Sequence, residues 1–393
     1  MIKPAVTVLG MTLALAACQE DTRSGRSLAP IPPATMALMD QKGMSKSDPI
    51  IIRSYKKEAE MEIWKRTSDG RYALLKTYPI CRWSGQLGPK VREGDRQAPE
   101  GFYTITPSLM NPNSSYYLSF DTGFPNAYDR SKGRTGSYLM VHGSCSSRGC
   151  FAMTDQAIAE VYAVAREAFS GGQRSFQFQS YPFRMTPKNL AQHRSDPNIS
   201  FWKNLKEGSD YFEVTHMEPK VSVCAGRYTF NSTGSCATSA EPAVAQKTAE
   251  DERETASLVA GGTKAVNLVY DDGGQHSSFR GLFANDTGNL VSRPESLAAG
   301  PREVIVNDTA PVVAAAPAAT ATTTTTATAP VTTTGSIQQT PIRRALSSRD
   351  TGLTTPDASV EPRAAIAETP AAAASENSEE PGYKRAFNSL FGG

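Results

Sequence analysis

The stretch VHGSCSSRGC, which runs from Val141 to Cys150, is the most informative part of this 393-residue sequence. It brings together one of only four histidines, two of six cysteines and two glycines. Three kinds of site use these residue types: a cysteine nucleophile with a histidine base, part of a metal centre, or a turn closed by a disulfide. The flanking sequence and the cellular compartment help to decide between them.

The residues on either side of this stretch indicate a strand before it and a helix after it. Tyr138 to His142 is rich in β-forming residues. Thr154 is a suitable N-cap, and an apolar helical face follows, ending at Gly171-Gly172: Ile158, Val161, Tyr162, Ala165 and Phe169. Cys150 is therefore expected between a strand end and a helix start, where backbone N–H groups would lower the thiol pKa. We expect His142 to meet it across the loop.

The sequence before this stretch predicts a mostly β domain. Short apolar or alternating runs predict strands at Ile50 to Arg53, Met61 to Lys65, Tyr72 to Tyr78 and Tyr116 to Phe120. Ser68-Asp69-Gly70 is typical of a hairpin turn between the second and third of them. The predicted fold class is α+β, mainly β, with one long helix after Cys150.

Composition divides the chain into one folded domain and a tail. With 41 Lys and Arg against 39 Asp and Glu, the chain is nearly neutral, which argues against a nucleic-acid partner. From Ala237 onward aromatic residues are few, and Val312 to Ser336 is rich in Ala and Thr. Such sequence buries too little apolar surface to offset chain entropy. We expect a folded domain at 33–232 and a largely disordered tail at 233–393, whose end could bind an envelope partner.

The N-terminus predicts export and a lipid anchor. Ala5 to Ala17 is an apolar run too short to span a bilayer comfortably, and it ends in Leu15-Ala16-Ala17-Cys18, the pattern of a bacterial lipoprotein signal. Residues 1–17 would be the signal peptide, Cys18 the acylated residue and 18–32 a tether. The alternative is an ordinary secretory peptide cut after Ala17. We expect a membrane-attached, periplasm-facing lipoprotein of the cell envelope, with Gln19 favouring the outer membrane.

An oxidising compartment makes disulfides possible, so each cysteine has to be weighed. A zinc site made of His142, Cys145 and Cys150 lacks a convincing fourth ligand, and no metal or cofactor is expected. A Cys145 to Cys150 disulfide would silence the nucleophile and is the next alternative. If Cys18 is lipidated and Cys150 free, four cysteines remain that can pair in more than one way: Cys81, Cys145, Cys224 and Cys236.

These residues together resemble a known enzyme family. His142-Gly143 followed by Ser147-x-Gly149-Cys150 resembles the active-site signature of YkuD-type L,D-transpeptidases, and Gly149 to Asp155 resembles the YafK branch of that family. Further stretches resemble that branch: Gly94-Asp95, Ala98 to Tyr103, Asn111 to Ser114, Tyr116 to Leu118, Thr122 to Arg130, Pro182 to Met185 and Phe201-Trp202. The resemblance covers about Pro33 to Phe230.

The resemblance implies a compact catalytic domain with a mixed β-sheet or sandwich. In it Cys150 would be the nucleophile, His142 the general base, Gly143 the carbonyl that orients the histidine, and Gly149 a backbone donor to the oxyanion. The implied partners are peptidoglycan stem peptides and possible murein-linked envelope proteins. The implied reaction is acyl transfer through a Cys150 thioester, giving 3-3 cross-links, D-amino acid exchange or protein attachment. A hydrolytic amidase or carboxypeptidase of the same family, and a catalytically silent murein-binding scaffold, are the alternatives.

The sequence departs from the usual family pattern in the catalytic loop. The two catalytic residues are eight positions apart, 150 minus 142, which is shorter than usual, and Arg148 stands where the family has another histidine. Arg148 is either a solvated loop charge or, beside the nucleophile, a residue that lowers the thiol pKa or binds a substrate carboxylate. The further candidates for substrate binding are Ser147, Tyr128 and Arg184.

Overall fold

The computed structural model describes residues 25–232, 236, 241–280, 297 and 299–306 of the chain. The helices, labelled in chain order, are α1 (Pro33–Gln41), α2 (Ala127–Ser131), α3 (Asp155–Ser170), α4 (Pro187–Gln192), α5 (Ile199–Thr215) and α6 (Pro242–Ala260). The strands are β1 (Ile50–Tyr55), β2 (Glu60–Arg66), β3 (Tyr72–Pro79), β4 (Arg82–Trp83), β5 (Gly101–Ile105), β6 (Met110–Asn111), β7 (Ser119–Asp121), β8 (Met140–His142), β9 (Phe151–Ala152), β10 (Phe176–Tyr181), β11 (Val221–Cys224), β12 (Arg227–Phe230), β13 (Ala265–Val269) and β14 (Arg302–Val306).

Two five-stranded sheets form the centre of the part that the structure describes. The first has the order β3-β2-β1-β10-β5, with β1 and β10 parallel and the other neighbours antiparallel. The second has the order β4-β9-β8-β7-β6, with β8 and β9 parallel. Both sheets are mixed, because each contains one parallel pair of strands among antiparallel pairs. The parallel neighbours are joined by connections longer than a two-residue hairpin turn.

The two sheets bury aromatic side chains against each other. Phe120 of β7 and Phe151 of β9 contact Phe178 of β10 with ring centroids 6.1 and 5.8 Å apart, both edge to face. Alternation along a strand then directs the neighbouring side chains of β7, β8 and β9 to the opposite face of the second sheet. That opposite face carries the candidate site.

Helix α3 follows the second sheet and begins as the sequence predicts. The Thr154 side chain caps it by accepting a hydrogen bond from the Ala157 amide, and Gly171 ends it. The helix buries an apolar face that includes Ile158, Val161 and Ala165. The predicted α+β fold class, with one long helix after Cys150, is confirmed.

Two local predictions need correction. The strand predicted at Tyr116 to Phe120 lies at Ser119–Asp121, because Tyr117 takes a positive φ and interrupts the run. The tail that the sequence predicts to be largely disordered from residue 233 contains ordered elements within the described residues, namely α6 (Pro242–Ala260) and the β13–β14 pair. Helix α6 is strongly polar, and a buried Lys206–Asp251 ion pair of 2.6 Å joins it to α5. This ion pair helps to hold α6 against α5, although the polar sequence of α6 gives little hydrophobic signal for a folded helix.

The predicted signal peptide, Cys18 and the Ala- and Thr-rich part of the tail lie outside the described residues. Within the described part, no helix is long and apolar enough to cross a membrane.

Candidate active site

The second sheet presents a row of polar side chains on the face opposite the aromatic core. The strand register pairs Ser119 with His142, His142 with Ala152, and Ala152 with Arg82. Paired residues point to the same face of a sheet. We call this the site face, and its first row runs across four strands as Arg82, Ala152, His142 and Ser119.

Cys150 joins the same face in a second row. It directly precedes β9, and its Sγ lies 3.4 Å from the backbone nitrogen of Met140, two residues before His142 on β8. Asp121 of β7 pairs with Met140 from the other side. Strand spacing and rise place the Cα atoms of Cys150 and His142 roughly 8 Å apart, a gap that two side chains on one face can bridge. The structure thus brings these two predicted residues together.

The His142 ring is oriented by the next residue in the chain. Its Nδ1 lies 2.6 Å from the carbonyl oxygen of Gly143, and that oxygen can only accept, so Nδ1 carries the proton. Nε2 is then the free base. Burial lowers the pKa of His142, and the hydrogen bond to Gly143 opposes this effect. The Tyr116 ring lies over the imidazole, with centroids 4.7 Å apart.

The backbone after His142 is held by the first residue of α3. The Asp155 carboxylate accepts a hydrogen bond of 2.8 Å from the Ser144 amide. A side chain at Gly143 would put its Cβ 2.6 Å from the Asp155 Oδ1 and 2.9 Å from the Tyr116 carbonyl oxygen. Gly143 is therefore required by close approach from two sides.

The Cys150 thiol is not poised as the sequence predicts. Burial raises the pKa of the Cys150 thiol, and the charge of Asp121 adds to this, against the lowering effects of the Met140 amide and Lys90. Helix α3 starts only at Asp155, and the Thr154 cap occupies the Ala157 amide. The prediction of a lowered thiol pKa at the helix N-terminus is therefore wrong. These pKa directions favour a neutral thiol and a neutral imidazole in the free protein at neutral pH.

Ser147 braces the nucleophile loop. Its buried Oγ accepts from the Cys150 amide at 3.0 Å and the Gly149 amide at 3.4 Å, and donates to the Cys150 carbonyl at 2.8 Å. The Ser84 hydroxyl adds a fourth contact at 2.8 Å. Because the Ser147 hydroxyl is occupied by these contacts, they do not favour its predicted role in substrate binding, which stays a prediction. The Gly149 and Cys150 amides are directed at Ser147, so the geometry does not favour the predicted oxyanion role of Gly149 either. Arg148 is exposed to solvent.

The disulfides leave Cys150 as a free thiol. Cys81 is bonded to Cys145 and Cys224 to Cys236, and Cys150 is free. The first bond ties the loop between His142 and Cys150 to the start of β4. It removes both alternatives for the loop, since Cys145 can neither bond to Cys150 nor supply a thiolate to a metal. No cluster of three metal-ligating side chains occurs within the residues that the structure describes.

The C-terminal segment also reaches this sheet, which the sequence did not predict. Gly274 exchanges two backbone hydrogen bonds with Trp83, of 2.9 and 3.0 Å, and so extends the sheet at its β4 edge. Asp272 forms ion pairs with the fully buried Arg82 and, at 3.2 Å, with Arg96. The Arg96 backbone lies next to Gly149, within 3.8 Å of where a side chain on that glycine would begin.

This segment completes a small apolar cluster behind the nucleophile loop. Phe279 and Leu297 pack with Ala152 and the Cys81–Cys145 bond. The segment that contains Asp272 is therefore a structural part of the site. The sequence does not predict this role, because Asp272 lies 190 residues from Arg82 and no local pattern connects the two residues.

Two predicted substrate-binding residues have contacts elsewhere. Tyr128 stacks between Phe201 and Tyr228, with centroids 5.3 and 4.4 Å apart. Arg184 pairs with Glu60 and Glu62 at 2.5 and 2.7 Å and lies over a tyrosine ring. Substrate binding by either residue stays a prediction that these contacts do not favour.

Comparison with known proteins points to one family. The family model of the L,D-transpeptidase catalytic domain, YkuD, matches residues 52–170. The protein named "Putative L,D-transpeptidase YafK" from Escherichia coli strain K12 is 46% identical over 180 residues, covering 46% of this chain and 73% of that protein. The protein of the same name from Escherichia coli O157:H7 matches with the same figures.

Solved structures show a weaker likeness. The helical cell shape determining protein Pgp2 from Campylobacter jejuni is 15% identical, with a TM-score of 0.28, covering 60% of this chain and 80% of that chain. Bd1075 from Bdellovibrio bacteriovorus is 14% identical, with a TM-score of 0.25, covering 48% and 85%. Scores at this level carry no argument about function.

The family match spans the two strands and the loop that hold His142 and Cys150. The YafK relative is close in sequence over most of its own length. This chain belongs to the L,D-transpeptidase family, in its YafK branch.

Proposed function

We propose that this protein is a cysteine-dependent acyltransferase acting on peptidoglycan stem peptides. The observation that carries the proposal is the placement of a free Cys150 and an oriented His142 on one face of the second sheet. The neighbouring cysteine of the loop is bonded to Cys81, so it does not compete for Cys150. Family membership supplies the substrate class.

In the first half-reaction, the Cys150 Sγ attacks the carbonyl carbon at the L-centre of a diaminoacyl residue. The thiol proton passes to Nε2 of His142, the C–S bond forms, and the C–N bond to the terminal D-amino acid breaks. The imidazolium then gives its proton to the leaving amine. The thiol now contacts the Tyr138 carbonyl oxygen at 3.7 Å. It has to exchange this contact for one to Nε2 before the proton can transfer.

The acceptor decides the product of the second half-reaction. An amine or water attacks the thioester carbon, the C–S bond breaks, and His142 carries the acceptor's proton to the departing thiolate. An amine of another stem gives a 3-3 cross-link, a free D-amino acid gives exchange, and a protein lysine gives an attached envelope protein.

Hydrolysis is the second candidate function. Only eight positions separate His142 from Cys150, and the Cys81–Cys145 bond holds the loop between them to β4. A short, fastened loop is less able to close over the thioester and exclude water. Water as the acceptor would make the protein a carboxypeptidase, or an amidase that releases a murein-linked protein.

We place the enzyme at the periplasmic side of the cell envelope. The N-terminal pattern that ends at Cys18 supports a lipid anchor, and the residue after it favours the outer membrane. Binding of an envelope partner by the end of the tail stays a prediction from the sequence alone.

The test is product analysis with the full-length protein. The protein is incubated with tetrapeptide muropeptides, with and without an added D-amino acid, and the products are identified by mass spectrometry. Dimers, exchanged stems or shortened stems that are absent with Cys150→Ala support the proposal, and the product separates transferase from hydrolase. Products that persist in Cys150→Ala contradict it. If neither these substrates nor protein-linked murein are changed, the murein-binding scaffold takes its place.

A further inference from the structure

Asp121 stands on the site face beside the nucleophile, and nothing above gives it a role. It is the last residue of β7 and pairs with Met140, whose amide contacts the Cys150 sulfur at 3.4 Å. It is two residues from Ser119, which pairs with His142. Alternation along the strand therefore puts the Asp121 carboxylate on the same face as Cys150 and His142.

The Asp121 carboxylate has no cationic partner among the ion pairs of the described residues. Its one side-chain hydrogen bond given by the structure is from the Gly123 amide, at 2.8 Å. Three nearby cations form ion pairs with other carboxylates: Lys90 with Asp95 at 2.6 Å, and Arg82 and Arg96 with Asp272. Burial raises the pKa of Asp121, and the Gly123 amide opposes this.

A second polar group on this face also lacks a partner. The fully buried hydroxyl of Ser119 makes no hydrogen bond within the part of the chain that the structure describes. Buried polar groups are normally paired, so an unpaired hydroxyl and an uncompensated carboxylate two residues apart indicate a site for a polar ligand. The carboxylate makes a cation the complementary ligand.

We propose that Asp121 binds an ammonium group of the substrate and thereby holds it beside Cys150. This inference rests on the proposed function, whose substrates carry such a group in two places. One is the side-chain amine of the diaminoacyl residue in the acyl donor, and the other is the amine of the acceptor, which would bind as ammonium and give one proton to the Asp121 carboxylate before it attacks. Both groups bind as ammonium cations.

The bound ammonium would also activate the nucleophile. The negative charge of Asp121 raises the pKa of the Cys150 thiol, so a cation seated on the carboxylate would cancel part of this effect. Without a bound substrate, the charge of Asp121 would keep the thiol protonated and less reactive. A substrate ammonium on Asp121 would lower the thiol pKa again. Recognition and activation are thus combined in one side chain.

The first experiment tests the electrostatic link in the full-length protein without any substrate. The rate of Cys150 alkylation by iodoacetamide is measured against pH for wild type, Asp121→Asn, Asp121→Glu and the exposed control Asp40→Asn. The Asp121 charge raises the pKa of the Cys150 thiol, so its removal should raise the alkylation rate near neutral pH about threefold or more in Asp121→Asn only. An alkylation profile equal to that of wild type would overturn the inference. The melting temperature shows whether each variant is folded.

The second experiment tests recognition. The acyl donor is a tetrapeptide with a free side-chain amine or its N-acetylated analogue, and the acceptor amine is varied separately. If Asp121 binds the donor, wild type favours the free amine about tenfold in kcat/KM, and Asp121→Asn removes this preference while Asp121→Glu keeps part of it. If it binds the acceptor, Asp121→Asn instead raises the acceptor KM.

The outcomes separate the two proposals. Turnover by wild type with the donor preference and the acceptor KM both unchanged in Asp121→Asn overturns the role of Asp121 and leaves the proposed function intact. No turnover of either donor by wild type contradicts the proposed function and the role of Asp121 together.

Discussion

His142 Nδ1 lies 2.6 Å from the carbonyl oxygen of Gly143, so the imidazole is fixed by the residue that follows it in the chain. The Gly143 amide is held in turn by the carbonyl oxygens of Tyr116 and Leu118, at 3.0 and 3.2 Å. The orientation of the base therefore depends on a backbone position that tolerates no side chain.

Gly143→Ala tests this dependence. The added methyl would stand 2.9 Å from the Tyr116 carbonyl oxygen and 2.6 Å from the Asp155 carboxylate, so the backbone has to shift and turn the ring with it. We expect kcat/KM to fall about 100-fold, because catalysis is sensitive to displacements of about 1 Å. Steady-state kinetics check this against Gly25→Ala, whose added methyl meets no atom within 4 Å. A variant with wild-type kinetics would show that the ring is oriented by other contacts.

The pH dependence follows from burial of both reacting groups. Burial lowers the pKa of His142 below its ordinary 6.5, so the imidazole stays neutral, and able to act as a base, in mildly acidic solution. The acidic limb of kcat/KM should therefore have its midpoint below pH 6.5.

The thiol is expected to behave in the opposite way. Burial raises the pKa of the Cys150 thiol above its ordinary 9.0, so alkylation of the free enzyme should have its midpoint above pH 9. A midpoint below pH 7 would mean that a thiolate and imidazolium pair forms at rest, contrary to this account.

Asp272→Asn should destabilise the protein strongly. Arg82 is fully buried, and Asp272→Asn removes the carboxylate that forms an ion pair with its guanidinium on the site face. Breaking a buried pair in this way costs about 3–5 kcal/mol. Urea unfolding checks the prediction, with the exposed Glu254→Gln on α6 as a control expected within about 0.5 kcal/mol of wild type. Equal stability of the two variants would show that the C-terminal segment does not support the sheet.

The Cys81–Cys145 bond should contribute to stability by constraining the unfolded chain. Its cysteines are 64 residues apart, and the chain-entropy relation gives about 4 kcal/mol for a closed loop of this length. The double variant Cys81→Ala, Cys145→Ala should lose about this much in chemical unfolding. A matched variant without Cys224 and Cys236, which are 12 residues apart, should lose about 3 kcal/mol. An equal or smaller loss in the variant without Cys81 and Cys145 would show that loop entropy is not the main contribution.

Local patterns in the sequence were sufficient to predict the helix and the strand next to the site. The N-cap of Thr154, the apolar period of α3 and the glycine stop at Gly171 act within one helix, so the sequence predicts this helix to within a residue. The strand that carries His142 is predicted for the same reason, although Tyr138 takes a positive φ and the strand begins at Met140.

Long-range contacts were not predictable in this way. The partner of Cys145 is 64 residues away and that of Arg82 is 190 residues away, and only the fold brings them together. Asp121 directly precedes the family-like stretch at Thr122, but its importance depends on its register with Met140. Burial, which the sequence does not give, reverses the predicted direction of the Cys150 pKa.

The most direct measurement is the mass of the acyl-enzyme. The full-length protein is mixed with a tetrapeptide donor, quenched in acid after a short time, and digested for mass spectrometry. We expect an adduct on Cys150 equal to the donor less its terminal D-amino acid, slower to form in His142→Ala and absent in Cys150→Ala. Product formation with no such adduct, or with an adduct on another residue, would contradict it.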